Sequence, residues 1–308
     1  MFDLIVVCGP TASGKSELAL QIADKFNGEI ISADSMQIYK EMNIGTAKPS
    51  EQEQKKIKHH LIDFLNVDQE YSVSQFCSDA RQASEDILSR KKIPVLVGGT
   101  GLYIDSFVNN LNFQNSDGSQ QIREKLINEL NEKGIDYLFD LLVKIDPEAS
   151  CIIHKNNTKR VIRALELNFT TGKNLSQINA ESLRNRKFNP LFIGVNYKDR
   201  ALLYDRINLR VDYMIENGLI EEAKKLFEVS LSKTAIGAIG YKELFEFFKG
   251  DLTLEDSVEL LKQKTRNYAK RQITWFKRNK EINWFFPDEF DSRQKFIDSV
   301  LEFIDSEV

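Results

Sequence analysis

The chain has 308 residues, 42% of them hydrophobic and 29% charged, enough to bury a core in one large domain or in a domain carrying an insertion. Its formal net charge of −4 excludes a protein that coats nucleic acid indiscriminately and leaves only local basic patches to be sought. No apolar run approaches the roughly 18–20 residues of a bilayer span, and the chain enters a strand-like segment without a leader, so a cytoplasmic address is expected.

The first predicted strand, FDLIVVCG, runs into GPTASGKS at Gly9–Ser16, a complete G-x-x-x-x-G-K-[ST] phosphate loop. A helix follows, with apolar residues at Leu18, Ile22 and Phe26. In such a loop successive backbone N–H groups converge on phosphate oxygens at a helix N-terminus, while Lys15 and the Ser16 hydroxyl serve the terminal phosphate and Mg²⁺. The second strand, EIISAD, delivers Asp34 to its C-terminal edge, where open α/β sheets bind ligands. Two readings stand for Asp34: an N-cap for a helix over SMQIY, or a base in the same crevice. The polar neighbours Ser35, Gln37, Tyr39, Thr46 and Lys48 favour the base.

His59, His60 and His154 are the only histidines. With no Cys or carboxylate cluster beside them, they are read as polar contacts rather than metal ligands. Cys8, Cys77 and Cys151 lack C-x-x-C spacing, which argues against a disulfide framework or zinc knuckle. The third strand, IPVLVGG, ends in Gly98, Gly99 and Gly101 around Thr100. This is a plain strand-to-helix turn or a place where a ligand nears the backbone and meets the Thr100 hydroxyl. An ATPase would normally carry a magnesium-binding Asp at a later strand end, and none stands here.

A polar stretch from Asn109 to Gln121 interrupts the strand pattern, and helical periodicity follows over 121–134, 136–143 and 159–170 before the strand LFIGVNY. The expected architecture is a P-loop NTPase-like, doubly wound parallel sheet with a helical insertion domain. Residues 1–115 and 188–308 would form the catalytic core and residues 116–187 the insertion, which holds a small basic cluster at Lys155, Lys159, Arg160 and Arg163. Beyond Lys198 helices are predicted, broken at Gly218, around Gly237 and Gly240, and at Gly250. Arg206 and Arg210, four residues apart, are surface charges or a diphosphate clamp. From Lys262 to Lys280 the chain holds eight Lys or Arg and no acid, with aromatics interleaved. A solvated helix face is the usual explanation of a charge run, but here a polyanion or base-stacking surface is the better one.

Together GPTASGKS, ISADSMQIYKEMNIGTAKP, HHLID, PVLVGGTGLYI, IGYKEL and KRQITWF resemble the tRNA dimethylallyltransferase family, also called tRNA isopentenyltransferases. Many nucleotide enzymes share the loop; DSMQIY followed by IGTAKP and GGTGLY is particular to this family and its cytokinin-making relatives. The resemblance implies transfer of a dimethylallyl group from dimethylallyl diphosphate to N6 of adenosine at position 37, beside the tRNA anticodon, with release of diphosphate. Asp34, Lys15 and Thr100 would be catalytic. Gly9, Pro10, Thr11, Ala12, Ser13, Gly14, Lys15, Ser16 and Arg206 would hold the diphosphate, and Ser16 would bind Mg²⁺. By the same resemblance tRNA would meet Asp34, Ser35, Met36, Gln37, Thr100, Arg123, Lys159, Arg160, Val161, Ile162 and Arg163. It would also meet Gly237, Ala238, Ile239, Gly240, Tyr241, Lys242, Lys270, Arg271, Gln272, Trp275 and Lys277, with the insertion embracing the anticodon stem-loop.

Two positions depart from the family pattern: Asn43 stands where DIGTAKP has Asp, and Gly237 where a polar side chain such as Gln is common. The chain stops soon after KRQITWF, so the zinc-finger tail of eukaryotic relatives is not expected, and a bacterial monomer without membrane contact or obligate protein partner is. Three other readings compete. An adenylate isopentenyltransferase shares the core but takes a free nucleotide, which the insertion and two basic surfaces disfavour. A small-molecule kinase lacks support because no second strand-end acid is present. A non-catalytic RNA-binding module would have no use for an intact loop with Asp34.

Overall fold

The computed structural model describes residues 2–111 and 119–307. Its strands are β1 (Leu4–Cys8), β2 (Gly28–Ser32), β3 (His59–His60), β4 (Ile93–Gly98), β5 (Pro190–Val195) and β6 (Asn283–Phe285). They form one sheet in the order β3-β2-β4-β1-β5-β6 with every neighbouring pair parallel. Parallel neighbours require crossover connections, and helices supply them: α1 (Lys15–Lys25), α2 (Glu51–Lys56), α3 (Val73–Ser89) and α4 (Gly101–Val108). The sheet has the P-loop NTPase-like, doubly wound form expected from the four apolar runs. Because all strands run the same way, the phosphate loop after β1, Asp34 after β2 and Thr100 after β4 emerge at one edge.

Two compact units divide the chain: Met1–Phe107 with Phe188–Val308, and Val108–Lys187. The boundary read at residues 115 and 116 lies outside the described residues. In the second unit α5 (Ser119–Ile145) bends at Gly134 (φ 78°), and α6 (Pro147–Ile152), α7 (Thr158–Thr171) and α8 (Leu175–Arg184) follow. Leu126, Leu138, Leu142, Val161 and Leu165 form its own core. The first unit resumes after β5 with α9 (Arg200–Glu216), α10 (Leu219–Phe227), α11 (Tyr241–Lys249), α12 (Leu254–Phe276) and α13 (Arg293–Ser306). Breaks fall at Gly218, in a short 3-10 turn at Ala235–Gly237, and at Gly240 and Gly250.

Strand alternation sorts the core. Ile5 and Val7 of β1, Val95 and Val97 of β4, and Ile193 and Val195 of β5 share one face with Leu18 and Ile22 of α1 and with Phe296, Ile297 and Val300 of α13. Leu18, Ile22, Phe296 and Val300 are fully enclosed, and burying such a side chain contributes roughly 1.5–3 kcal/mol. The opposite face takes α3, which packs on β2 and β4. The phosphate loop is thus clamped between a buried strand and a buried helix.

Candidate active site

The loop backbone turns through left-handed conformations at Ala12 (φ 61°) and Gly14 (φ 90°). Lys15 and Ser16 open α1, so their N–H groups have no carbonyl one turn back to bond. Arg206 Nε donates to the Ala12 carbonyl at 3.0 Å, and Arg293 Nη2 donates to the Gly14 carbonyl at 2.9 Å. In a trans peptide the C=O and N–H point oppositely, so anchoring Gly14 O to Arg293 turns the Lys15 N–H away from that arginine. The left-handed φ at Gly14 favours glycine, and a Cβ there would also displace the Arg293 guanidinium. The Ser13 hydroxyl is fully buried with no hydrogen-bond partner among the described residues. Lys15 Nζ donates to the Pro10 carbonyl at 3.2 Å. Burial, then the charge of Arg210, pulls the Lys15 pKa down to about 8, with Asp34 acting in the opposite direction. An ammonium, helix-start amides and an orphaned hydroxyl together make a cradle for an anion.

Two cavities open from this cradle. The smaller, about 140 Å³, is lined by Lys15, Ser16, Asp34, Gln37 and Lys48 among others. The larger, about 300 Å³, is walled by Ser35, Met36, Gly45, Thr46, Gly237, Ala238, Ile239, Gly240, Val211 and Met214. Thr11, Asp34, Thr46, Arg210 and Tyr268 line both. Asp34 Oδ1 accepts from the N–H of Met36 at 2.9 Å and of Gln37 at 3.4 Å, but SMQIY forms turns, not the helix that the capping reading required. Its other oxygen has no hydrogen-bond partner among the described residues. The Thr100 hydroxyl accepts from Ser35 N–H at 3.3 Å, and Gln37 ties Ser32 to the Thr46 and Ala47 carbonyls. Burial, then Asp34, pushes the Tyr268 phenol up to about 12, so it stays protonated.

Several residues expected to face a ligand are turned elsewhere. Gln272 is buried, though it also lines the smaller cavity; it accepts from Thr11 N–H and donates to the Gly99 carbonyl, both at 2.9 Å, and so braces two loops. Trp275 packs on Gly101 and donates to Asp105 of α4 at 2.6 Å, with the Arg278 guanidinium over its ring. Tyr241 is fully buried, and Val161 and Ile162 sit in the helical unit's core because their α7 face is the apolar one. Arg206 props the loop from outside and lines neither cavity; Arg210, one turn on, lines both. In the basic stretch Lys262 pairs with Asp212 and Arg266 with Asn208. Lys270, Arg271 and Lys277 remain exposed, as does Lys242. In the helical unit Arg123 and Arg163 lie 3.8 and 3.1 Å from buried Glu166 and Lys155 pairs with Asp136, while Lys159 and Arg160 are exposed.

His60 is engaged by Glu29 and His59 by the Ile57 carbonyl, and no group of three His, Cys, Asp or Glu able to hold a metal occurs among the described residues. All three cysteines are free thiols. No described helix is long and apolar enough to cross a membrane. Sequence reasoning missed Tyr268 as a wall shared by the cavities, and Glu222 and Arg293 altogether. The signal for Tyr268 was its place on one helix face with Arg271 and Trp275, at i, i+3 and i+7.

Comparison with known proteins gives a consistent result. The IPP transferase family profile matches residues 37–279. A tRNA dimethylallyltransferase of Acetivibrio thermocellus is 48% identical over 99% of this chain and 98% of its own. Among solved structures, the tRNA delta(2)-isopentenylpyrophosphate transferase of Staphylococcus epidermidis is 42% identical with a TM-score of 0.71, covering 98% of this chain and 99% of that one. A eukaryotic dimethylallyltransferase acting on tRNA is 32% identical with a TM-score of 0.78, covering 99% of this chain and 80% of that one.

Proposed function

The chain belongs to the IPP transferase family, and on that premise we propose that it transfers a dimethylallyl group from dimethylallyl diphosphate to N6 of adenosine at position 37 of tRNA, releasing diphosphate. The observation that carries this reading is that Asp34 lines both cavities, one opening on the phosphate loop and the other wide enough for a base. The donor's diphosphate sits on the loop, its allylic carbon reaches Asp34, and the extruded adenine enters the larger cavity. The allylic C–O bond breaks with its electron pair passing to diphosphate, where Lys15, Arg210 and the helix-start amides meet the growing charge. The adenine nitrogen supplies the pair for the new C–N bond, and its proton passes to Asp34. Tyr268, protonated and shared by both cavities, holds the wall between donor and acceptor.

The donor set suits Mg²⁺, because a hard cation keeps water and phosphate oxygens and needs few protein ligands. Ser16 Oγ would hold it, and a bound ion would supply further charge for the leaving diphosphate. The exposed Lys270 and Arg271 of α12 and Lys277 just beyond its end, with Lys159 and Arg160 of the helical unit, would meet the tRNA backbone around the anticodon stem-loop. The reaction belongs to the cytoplasm, where its tRNA substrate is.

The test is to incubate the protein with labelled dimethylallyl diphosphate and Mg²⁺ and offer either unmodified tRNA or AMP. Label is expected in tRNA, at the adenosine following the anticodon. Label in AMP alone would overturn the tRNA reading in favour of a free-nucleotide prenyltransferase.

A further inference from the structure

Glu222 lies on α10, outside every motif that identified the family and outside the lining of both cavities. Its two carboxylate oxygens nonetheless gather backbone N–H groups from Asn43 (3.0 Å), Ile44 (2.9 and 3.0 Å) and Gly45 (3.0 Å), and the Tyr241 hydroxyl at 2.7 Å. These donors come from the NIGTAKP segment and from the first residue of α11, which begins inside IGYKEL. A carboxylate receiving several N–H and O–H donors is held more firmly than any neutral pair would be.

The clasp joins two adjoining segments of the larger cavity's wall, since a Cβ on Gly240 would fall 3.9 Å from Gly45. Gly45 and Thr46 come from one segment, and Gly237–Gly240 from the other, immediately before Tyr241. Tyr241 lies against the Gly45 backbone so closely that a Cβ on residue 45 would fall 2.6 Å from its ring, which is why that motif position is glycine. Burial first, and then the Glu222 charge, raises the Tyr241 pKa, so the phenol keeps the proton it donates.

We propose that Glu222 is a positioning residue for the acceptor: by binding the Asn43–Gly45 amides and the Tyr241 hydroxyl to one carboxylate, it holds together two segments that wall the cavity receiving the tRNA adenine. This inference rests on the acceptor reading of that cavity. Glu222 touches no substrate, and its effect passes through Gly45, Thr46 and the 237–240 segment.

The experiment compares Glu222→Gln and Tyr241→Phe with the unaltered protein. Glu222→Gln replaces an acceptor by an amide that turns donors toward donors; Tyr241→Phe keeps the ring and removes one bond. In Glu222→Gln the KM for tRNA should rise about 10- to 100-fold, the cost of sub-ångström misplacement at a binding wall, while the KM for dimethylallyl diphosphate stays within about twofold. Backbone hydrogen exchange at Ile44 and Gly45 should accelerate in the same variant. Tyr241→Phe should show the same split more weakly. Equal rises in both KM values, or unchanged exchange at Ile44 and Gly45, would overturn the positioning role. Should the unaltered protein prenylate AMP instead of tRNA, the acceptor assignment falls, and the same split, read in the KM for AMP with the exchange at Ile44 and Gly45, still decides the clasp.

Discussion

In the proposed reaction Asp34 has two tasks, and its two oxygens would divide them. Oδ1 closes the turn at Met36 and Gln37, and the other oxygen remains for the proton. Asp34→Asn keeps an acceptor for the turn and removes the base, so the melting temperature should hold while single-turnover prenyl transfer falls about 10²- to 10⁴-fold. A turnover near that of the unaltered protein would remove the base assignment. Lys15 gives a second prediction at this scale. Its pKa in the folded protein is about 8 against an ordinary 10.5, so between those values the unfolded chain binds more protons. The free protein therefore gains stability from Lys15 as pH rises through that window. The proposed diphosphate binding would run the other way, because it would need the ammonium. Affinity for inorganic pyrophosphate should weaken by up to about tenfold per pH unit above 8, with proton uptake on binding visible by calorimetry in buffers of different ionisation enthalpy. A flat affinity profile from pH 7 to 10 would show that Lys15 does not govern the cradle.

At the scale of elements, Gln272 shows how α12 serves the site. One carboxamide accepts from Thr11 in the phosphate loop and donates to Gly99 after β4. Gln272→Ala leaves both groups without that partner, at a cost of about 2 kcal/mol or more, and should lower the melting temperature while raising the KM for dimethylallyl diphosphate more than that for tRNA. An unchanged donor KM would confine Gln272 to stability alone. The sequence announced the elements this brace connects but not the brace. β1, β2, β4 and β5 were legible because each is an apolar run buried along nearly its whole length. His59–His60 and Asn283–Phe285 are edge strands of two and three residues, too short to leave a periodic trace. The phosphate loop, Asp34 and Thr100 were legible because each follows a buried strand. The contacts from Gln272 to Thr11 and from Arg293 to Gly14 span 261 and 279 residues, and local pattern carries no information at such separations. The basic run misled in part for the same reason: its composition was plain, but which of its residues turn toward α9 is fixed by the tertiary packing.

At the scale of the whole molecule, the sheet separates reaction from reinforcement. Asp34, Thr100 and the phosphate loop occupy the C-terminal edge, while Glu29, near the start of β2, lies toward the other edge and is only 2% exposed. Its carboxylate receives a forked pair of bonds from Arg90, with Lys92 at 3.0 Å and His60 of β3 at 2.8 Å, and so ties the short edge strand to β2. The Arg90 bonds, with help from His60 and Lys92 and against the pull of burial, hold this carboxyl well below its ordinary value of 4.5. A depressed carboxyl contributes stability that is complete above the unfolded pKa and is lost as pH falls through the folded one. Glu29→Gln leaves the surrounding cations without their buried counter-charge, a change of about 3–5 kcal/mol for a fully enclosed pair; because Arg90 is about one-third exposed, the lower end, about 3 kcal/mol or less, is expected after solvent screening. Thermal unfolding should therefore show a clear deficit for Glu29→Gln at pH 7, narrowing progressively below about pH 4.5, while the KM values for both substrates stay unchanged at temperatures where the variant is folded. A deficit that persisted undiminished in acid would show that Glu29 stabilises the sheet by packing rather than by charge, and a change in either KM would show that the two edges are not independent.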